Sequence, residues 1–355
     1  MLDFESLLIY SFVLFIAYVF AYVYDVKKNK FALFVSFLIL ALFSGLRYEV
    51  GFDYKGYVDI FETIRSGIDS RCEIGFYYLN LLFSNSRNGF IYVQLCMSFL
   101  TYGFLMASFL KYNKNIRFCI FFLFTFQLLF QINNQERQGL AICIFFYAMQ
   151  YLESRKYFRY AFWIIFASLF HVSVLCLLIL ICFRITLHIK WWRILIVLSF
   201  ILSCFGVFEV LCSQILNFIL TNIPQYQVYL TYEGGMYTEV SSVHGTSAII
   251  ICLYWVIIAL VISMKSNQYF KYPIIQELYY LGILLFPIFI SFHLLERFFY
   301  YFIFISVLIA SEVCSYNKLC KQILFILGLF VFIIFCLKNW GSFGGYPYKT
   351  VLSLI

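Results

Sequence analysis

Long uninterrupted apolar runs alternate with short polar connections along most of this chain. The runs show no two-residue alternation, so they read as helices rather than strands. The first run predicts a helix over Leu7–Tyr24 and the second a helix over Phe31–Leu46. Further helices are expected over Phe90–Leu110, Phe118–Ile132 and Gly139–Leu152, and then over Thr246–Met264, Ile274–Ile290, Phe298–Ser311 and Ile323–Leu337. A bilayer crossing takes about 20 apolar residues as helix, which gives an all-α polytopic integral membrane protein of about 11–12 transmembrane helices. Residues 1–355 then form a single membrane domain, with the longer polar connections at about 47–89 and 208–245 as outer loops.

The polar connections carry orientation. Lys27, Lys28 and Lys30 follow the first run, Lys111, Lys114 and Arg117 the third, and Arg155, Lys156 and Arg159 the fifth. Basic clusters next to a span mark the cytoplasmic side. Lys265 with Lys271, and Lys318 with Lys321, alternate correctly with that scheme. The N-terminus, Arg47, Asp53, Glu136, Arg137, Glu296 and Arg297 are then all expected outside. The acidic start, Asp3 and Glu5, lacks the basic region of a cleaved leader, so the first run is expected to remain as a span. Glu73–Leu79, apolar and rich in tyrosine, is expected to lie along the membrane interface.

One stretch resists simple alternation. Residues 160–183 are long enough for one crossing, yet a single crossing would put Arg184, Lys190 and Arg193 outside. A pair of short helices over about 157–170 and 173–186, broken near His171, resolves the conflict; such breaks are tolerated where protein or a wet cavity covers the backbone. The rival is one straight span followed by two short crossings between 190 and 223.

Composition agrees with the pattern and narrows the chemistry. The chain is 64% hydrophobic and 12% charged, which is too apolar for a soluble protein of its 355 residues. The net charge of +8 sits in clusters between apolar runs, so nucleic acid is not an expected partner. The twelve cysteines mostly fall inside apolar runs, and no CxxC or Cys/His spacing argues for a metal. Phosphate-binding glycine loops and a GxSxG elbow are absent, so no cofactor is expected.

What remains is a set of charged residues at the outer ends of spans: Arg47 and Asp53, Glu136 and Arg137, His171, and Glu296 with Arg297. Each alone is an ordinary end charge. As a set they mark a functional path, because charges near hydrocarbon are costly. Outside the membrane, activated sugar donors are lipid-linked. Glycosyl transfer from a polyprenyl diphosphate needs guanidinium groups to hold the leaving diphosphate and a base for the acceptor hydroxyl. Arg47, Arg137 and Arg297 are candidates for the first role. His171 is the first choice for the second, with Asp53 as its possible orienter. The base is left open among His171, Asp53, Glu136 and Glu296. Tyr54, Tyr57, Glu136, Gln138, Glu296 and Tyr300 are candidates for binding substrate, with aromatic rings of the outer loops suited to stacking on sugars.

The same residues carry a resemblance. Leu46-Arg47-Tyr48-x-Val50-Gly51-x-Asp53-Tyr54-x-x-Tyr57 resembles the early signature of the EpsG/Wzy-type polysaccharide polymerases. Asn134-x-x-Arg137-Gln138-Gly139-Leu140-Ala141 is similar to the second, Ala167-x-x-Phe170-His171-x-Ser173 to the third, and Glu296-Arg297 with Tyr300-Tyr301 to a weaker last one. Glu136 departs from the pattern, where an apolar residue is expected. The resemblance implies a multi-pass protein of the bacterial inner membrane with its active face outward. It implies transfer of a growing glycan from undecaprenyl diphosphate to the non-reducing end of the next lipid-linked oligosaccharide unit. The product would be O-antigen of lipopolysaccharide, capsule or exopolysaccharide. A chain-length-regulating co-polymerase is an expected partner on the same ground. The alternatives are a flippase for the same lipid-linked unit and an O-antigen ligase. A flippase should show internal repeats and charges at the bilayer midplane. A ligase should carry a larger outer loop than 208–245.

Overall fold

The computed structural model describes residues 3–182, 186–208, 246–290, 293–338 and 348–351, with positions 214, 218, 221 and 222. Helix is the only regular secondary structure among them, and the single extended pairing is one antiparallel bridge, Arg47 to Thr350. The chain divides into two compact units. The first is Met1–Phe183 with Ala310–Ile355, and the second is Arg184–Ile309.

The first unit opens with α1 (Phe4–Lys27) and α2 (Lys30–Gly45). Asn29 joins them as N-cap, its side-chain oxygen accepting from the Phe31 and Ala32 amides. α1 buries Ser6, Tyr10, Leu14, Ala17 and Ala21, while Phe4, Leu8, Phe12 and Phe15 are exposed. A helix that is apolar on its outer face and lined with small residues inward is solvated by lipid and packs closely on its neighbours. The contacts are made accordingly: Ser36 Oγ donates to the Ala17 carbonyl, and Ser98 Oγ of α5 (Gly89–Tyr112) donates to the Ala41 carbonyl. Between α2 and α5 lie two short helices that the hydrophobic pattern does not separate, α3 (Tyr54–Arg65) and α4 (Ile74–Phe83). α4 leaves Ile74, Tyr78, Leu81 and Leu82 exposed, an apolar outer face of the kind expected of a helix at the interface.

The run expected as one span over Phe118–Ile132 is two helices, α6 (Ile116–Thr125) and α7 (Leu128–Asn134), bent by 62°. Gln127 turns the corner in the left-handed region at φ 66°. Every residue of α7 is buried, so protein covers the broken backbone. α8 (Glu136–Glu153) starts at once. Gly139 permits this tight return, since a Cβ there would sit 2.8 Å from Ile132 Cα. The expected short pair near His171 is present as α9 (Tyr157–Ser168) and a 3₁₀ helix (Val172–Ile181). Tyr160 Oη donates to the Leu177 carbonyl across the pair at 2.9 Å, which excludes a straight helix over 160–183.

In the second unit, α10 (Ile189–Cys204), α11 (Thr246–Ser263), α12 (Ser266–Tyr269), α13 (Pro273–Phe289) and α14 (His293–Ile303) pack together. Ser199 and Ser203 donate to the Leu284 and Pro287 carbonyls, and Arg193 holds the end of α11 through Ser263. α15 (Ser306–Tyr316) and α16 (Lys318–Lys338) lead back to the first unit. There Phe325 stacks on Phe121 at 3.9 Å, and Gly328 clears Thr125.

Among the described residues, four helical runs are long and apolar enough to cross a membrane, or five with the bent α6–α7 pair counted as one: α1, α5, Arg297–Tyr316 and Lys318–Leu337. Shorter apolar helices of 10–17 residues include Lys30–Gly45, Ile74–Phe83, Val172–Ile181 and Pro273–Phe289. Several of the apolar runs expected as spans are thus short or broken helices among the described residues, because run length in sequence does not reveal a break. Apart from positions 208, 214, 218, 221 and 222, the loop 208–245, with Glu209, Glu233, Glu239, His244 and its tyrosines, lies outside the described residues, as does Arg184.

Candidate active site

The helices of the first unit place its charges at two opposite ends. At one end the Asp25 carboxylate accepts from the Ile116 and Arg117 amides, Lys114 lies over the Tyr316 ring, and Lys321 over the Phe118 ring. Lys114, Arg117 and Lys321 belong to turns that the sequence expects to be cytoplasmic. At the other end the start of α1 meets the end of α16, with the Asp3 amide donating to the Leu337 carbonyl. Arg47, Asp53, Glu73, Glu136, Arg137 and His171 belong to this second end.

The segment after α2 is shaped by Gly51, at φ 104°, whose missing side chain lets the backbone approach Asn133 and Asn134. Asn134 Oδ1 accepts from the Asp53 amide at 3.2 Å. The first signature is thus docked onto the α7–α8 turn that carries the second. Arg47, 2% exposed, forms an ion pair with Glu136, 5% exposed. Its remaining donors go to the Ser44 and Val50 carbonyls, and Gln94 Nε2 lies 3.5 Å from the same carboxylate oxygen. Glu136, the residue that departs from the family pattern, is therefore the partner of Arg47 and not of its neighbour Arg137. Next to the pair is a cavity of about 10 Å³, the room of one water, lined by Ser44, Gln94, Thr101 and Asn133 among others.

Arg137 turns the other way on α8. It forms an ion pair with Glu73, and its guanidinium lies 5.5 Å from the centroids of both Tyr57 and Phe76. Glu73 Oε1 in turn lies 3.3 Å from His171 Nδ1 and accepts from the Val172 amide at 3.3 Å. The approach is set by Gly75, whose amide donates to the Leu169 carbonyl at 2.8 Å; a Cβ at Gly75 would meet that oxygen at 2.8 Å. Arg137 and His171 are 24% and 27% exposed, so their cluster opens to the surface, whereas the Arg47–Glu136 pair is almost wholly enclosed. Burial works against the Glu73 charge, but the neighbouring His171 imidazole and the Arg137 charge outweigh it and hold the carboxyl down at about 2. Glu73 is a carboxylate at any physiological pH.

The carboxylate beside His171 is Glu73, where the sequence reading put Asp53. Asp53 opens α3, half-buried, close enough to raise the Tyr57 phenol electrostatically. Tyr54 and Tyr57, expected to stack on sugars, are buried under α3 and pack edge-on against Phe90 and Phe76. Burial pushes both phenols up, Tyr54 to about 12, so neither serves as a base. Gln138 is buried on α8. Arg297 and Tyr300 belong to the second unit, on α14, with Tyr300 buried beside Phe304; the Glu296 side chain is outside the described positions. Glu73 is the residue missed from the sequence. Its signal was a carboxylate two residues before a glycine in an apolar, tyrosine-rich outer segment. No group of His, Cys, Asp and Glu able to hold a metal occurs among the described residues.

The model of the EpsG family matches residues 30–350, a range that contains all of these residues. No curated protein and no solved structure matches the chain. The chain belongs to the EpsG family, and its function is of the polysaccharide-polymerase type.

Proposed function

We propose that this protein polymerises lipid-linked oligosaccharide repeat units at the outer face of the bacterial cytoplasmic membrane, transferring the growing glycan from undecaprenyl diphosphate to the non-reducing end of the next unit. The observation that supports it most is the Arg137–Glu73–His171 cluster, an arginine and a histidine joined by one carboxylate and reachable from outside the protein. The proposed orientation rests on the preference of basic turns for the cytoplasmic side, with Lys114, Arg117 and Lys321 at the opposite end of the same unit.

In the reaction the C1–O bond to the diphosphate breaks as the acceptor hydroxyl forms a new bond to C1. The electron pair stays on the diphosphate, and the hydroxyl proton goes to His171. Arg137 stabilises the charge that develops on the leaving group, which a planar guanidinium does by holding two oxygens at once. His171 presents Nδ1 to Glu73, which leaves Nε2 to act as base. Arg47 is assigned a different role from Arg137. It holds the signature segment onto α8 through Glu136.

Sizing the surface glycan of a deletion strain tests the proposal. Single-unit chains are expected. Absence of surface glycan would instead indicate a flippase, and free polymer a ligase. Complementation with Arg137→Lys should do little better than Arg137→Ala, each lowering polymerisation on the order of 10²–10³. Full-length polymer from Arg137→Lys and from His171→Ala would remove the cluster from the mechanism.

A further inference from the structure

We infer that Glu73 is a shared clamp, which masks Arg137 until a diphosphate displaces it and then commits its charge to His171. The inference rests on the polymerase reading above and assigns a positioning residue to it. Its basis is the division of the carboxylate. Oε2 faces Arg137 Nη1, while Oε1 faces His171 Nδ1 and the Val172 amide. The two halves are unequally engaged. The Arg137 contact is a close ion pair, whereas His171 Nδ1 stands 3.3 Å away, buried and without a well-aligned acceptor. One carboxylate cannot serve both partners fully, so whichever group holds it more tightly weakens the other's share.

A diphosphate changes that balance. Its oxygens offer Arg137 more negative charge and a bidentate fit, so they compete with Glu73 for the guanidinium. Glu73 itself cannot leave. Gly75 pins its segment against Leu169, and the Val172 amide holds Oε1. Displaced from Arg137, the carboxylate therefore turns its whole charge on the imidazole beside it. That charge stabilises the imidazolium formed when His171 accepts the acceptor proton, and the hydrogen bond orients the ring. Binding of the leaving group thus prepares the base, so a base oriented for attack coincides with a donor in place.

The experiment compares wild-type protein with Glu73→Gln and Glu73→Asp, each full-length in lipid nanodiscs. Inorganic pyrophosphate is titrated as the probe, and a lipid-linked repeat unit serves as the substrate. Glu73→Gln removes the competitor and should tighten pyrophosphate binding at least about tenfold, the worth of one charge-assisted contact. It should also lower kcat by at least about tenfold, since the amide cannot stabilise the imidazolium. Tighter binding with slower turnover is a split that mere loss of folded protein does not produce. Glu73→Asp keeps the charge on a shorter stem and should restore part of kcat. In an Arg137→Ala background, Glu73→Gln should leave pyrophosphate affinity unchanged. Unaltered pyrophosphate affinity in Glu73→Gln, or weaker binding, would overturn the clamp whatever the turnover. A wild-type protein that makes no polymer would overturn the polymerase reading, and the pyrophosphate titration would still decide the clamp.

Discussion

Two arginines given the same role by sequence behave as different objects. Arg47 is almost wholly enclosed with Glu136, and removal of one partner from such a pair leaves a buried unpaired charge. Arg47→Ala should therefore lower stability by about 3–5 kcal/mol, read as a fall in the unfolding temperature in detergent. Replacing both partners with apolar residues of similar size should recover most of it. Arg137 is about a quarter exposed, and its loss should be felt in turnover more than in stability. Glu73 gives a pH test. Its carboxyl is held below the ordinary value, so the stability it contributes is present above about pH 4.3 and is lost as pH falls through about 2. The stability difference between wild type and Glu73→Gln should accordingly stay level from neutral pH to about 5 and shrink only in stronger acid. A difference that disappears by pH 5 would mean that Glu73 is not held by Arg137 and His171.

At the scale of elements, the cluster depends on how α4 meets the hairpin of α9 and the 3₁₀ helix. Gly75→Ala would place a methyl 2.8 Å from the Leu169 carbonyl, so α4 must move and carry Glu73 with it. Shorter glycan chains at near-normal protein level are the expected result, and unchanged chain length would show that the α4 contact does not position the site. The end of the chain is a second such device. Tyr348 stacks on Phe43 at 4.3 Å, donates to the Phe43 carbonyl, and lies edge-on to Tyr10. The Val351 amide and Thr350 hydroxyl both donate to the Leu46 carbonyl, beside Arg47. Lys349 also pairs with Glu49, but both are about half exposed and such pairs contribute little. Tyr348→Ala should thus lower the unfolding temperature clearly, while Lys349→Ala should leave it nearly unchanged. The reverse order would show that the tail is held by charge and not by packing.

For the molecule as a whole, the separation of charges between the two ends of the first unit makes topology testable. Single cysteines placed at Lys114 and at Gly235, in a background without the native ones, should be labelled from opposite sides of the membrane, the second from outside. Labelling of position 235 from the cytoplasm alone would reverse the orientation and, with it, the choice of lipid-linked donors.

Much of this was legible in the amino-acid order because the physics involved is local. A run of apolar residues needs lipid wherever it lies, basic turns sort to one side by charge alone, and the break at His171 followed from an orientation conflict between Arg159 and Arg193. Pairings between distant residues were not legible. Nothing near Glu136 in sequence tells that its partner is Arg47 and not Arg137. That choice is made by the direction each side chain leaves α8 and by Gly51 bringing the first signature against Asn133. The bend at Gln127 likewise depends on a buried α7 that only packing creates. Glu73 stood in a segment that read as interfacial helix, and it became the hinge of the site because Gly75 lets α4 touch Leu169. Composition and periodicity set what each segment must avoid, and tertiary packing decided which of the few charges face one another.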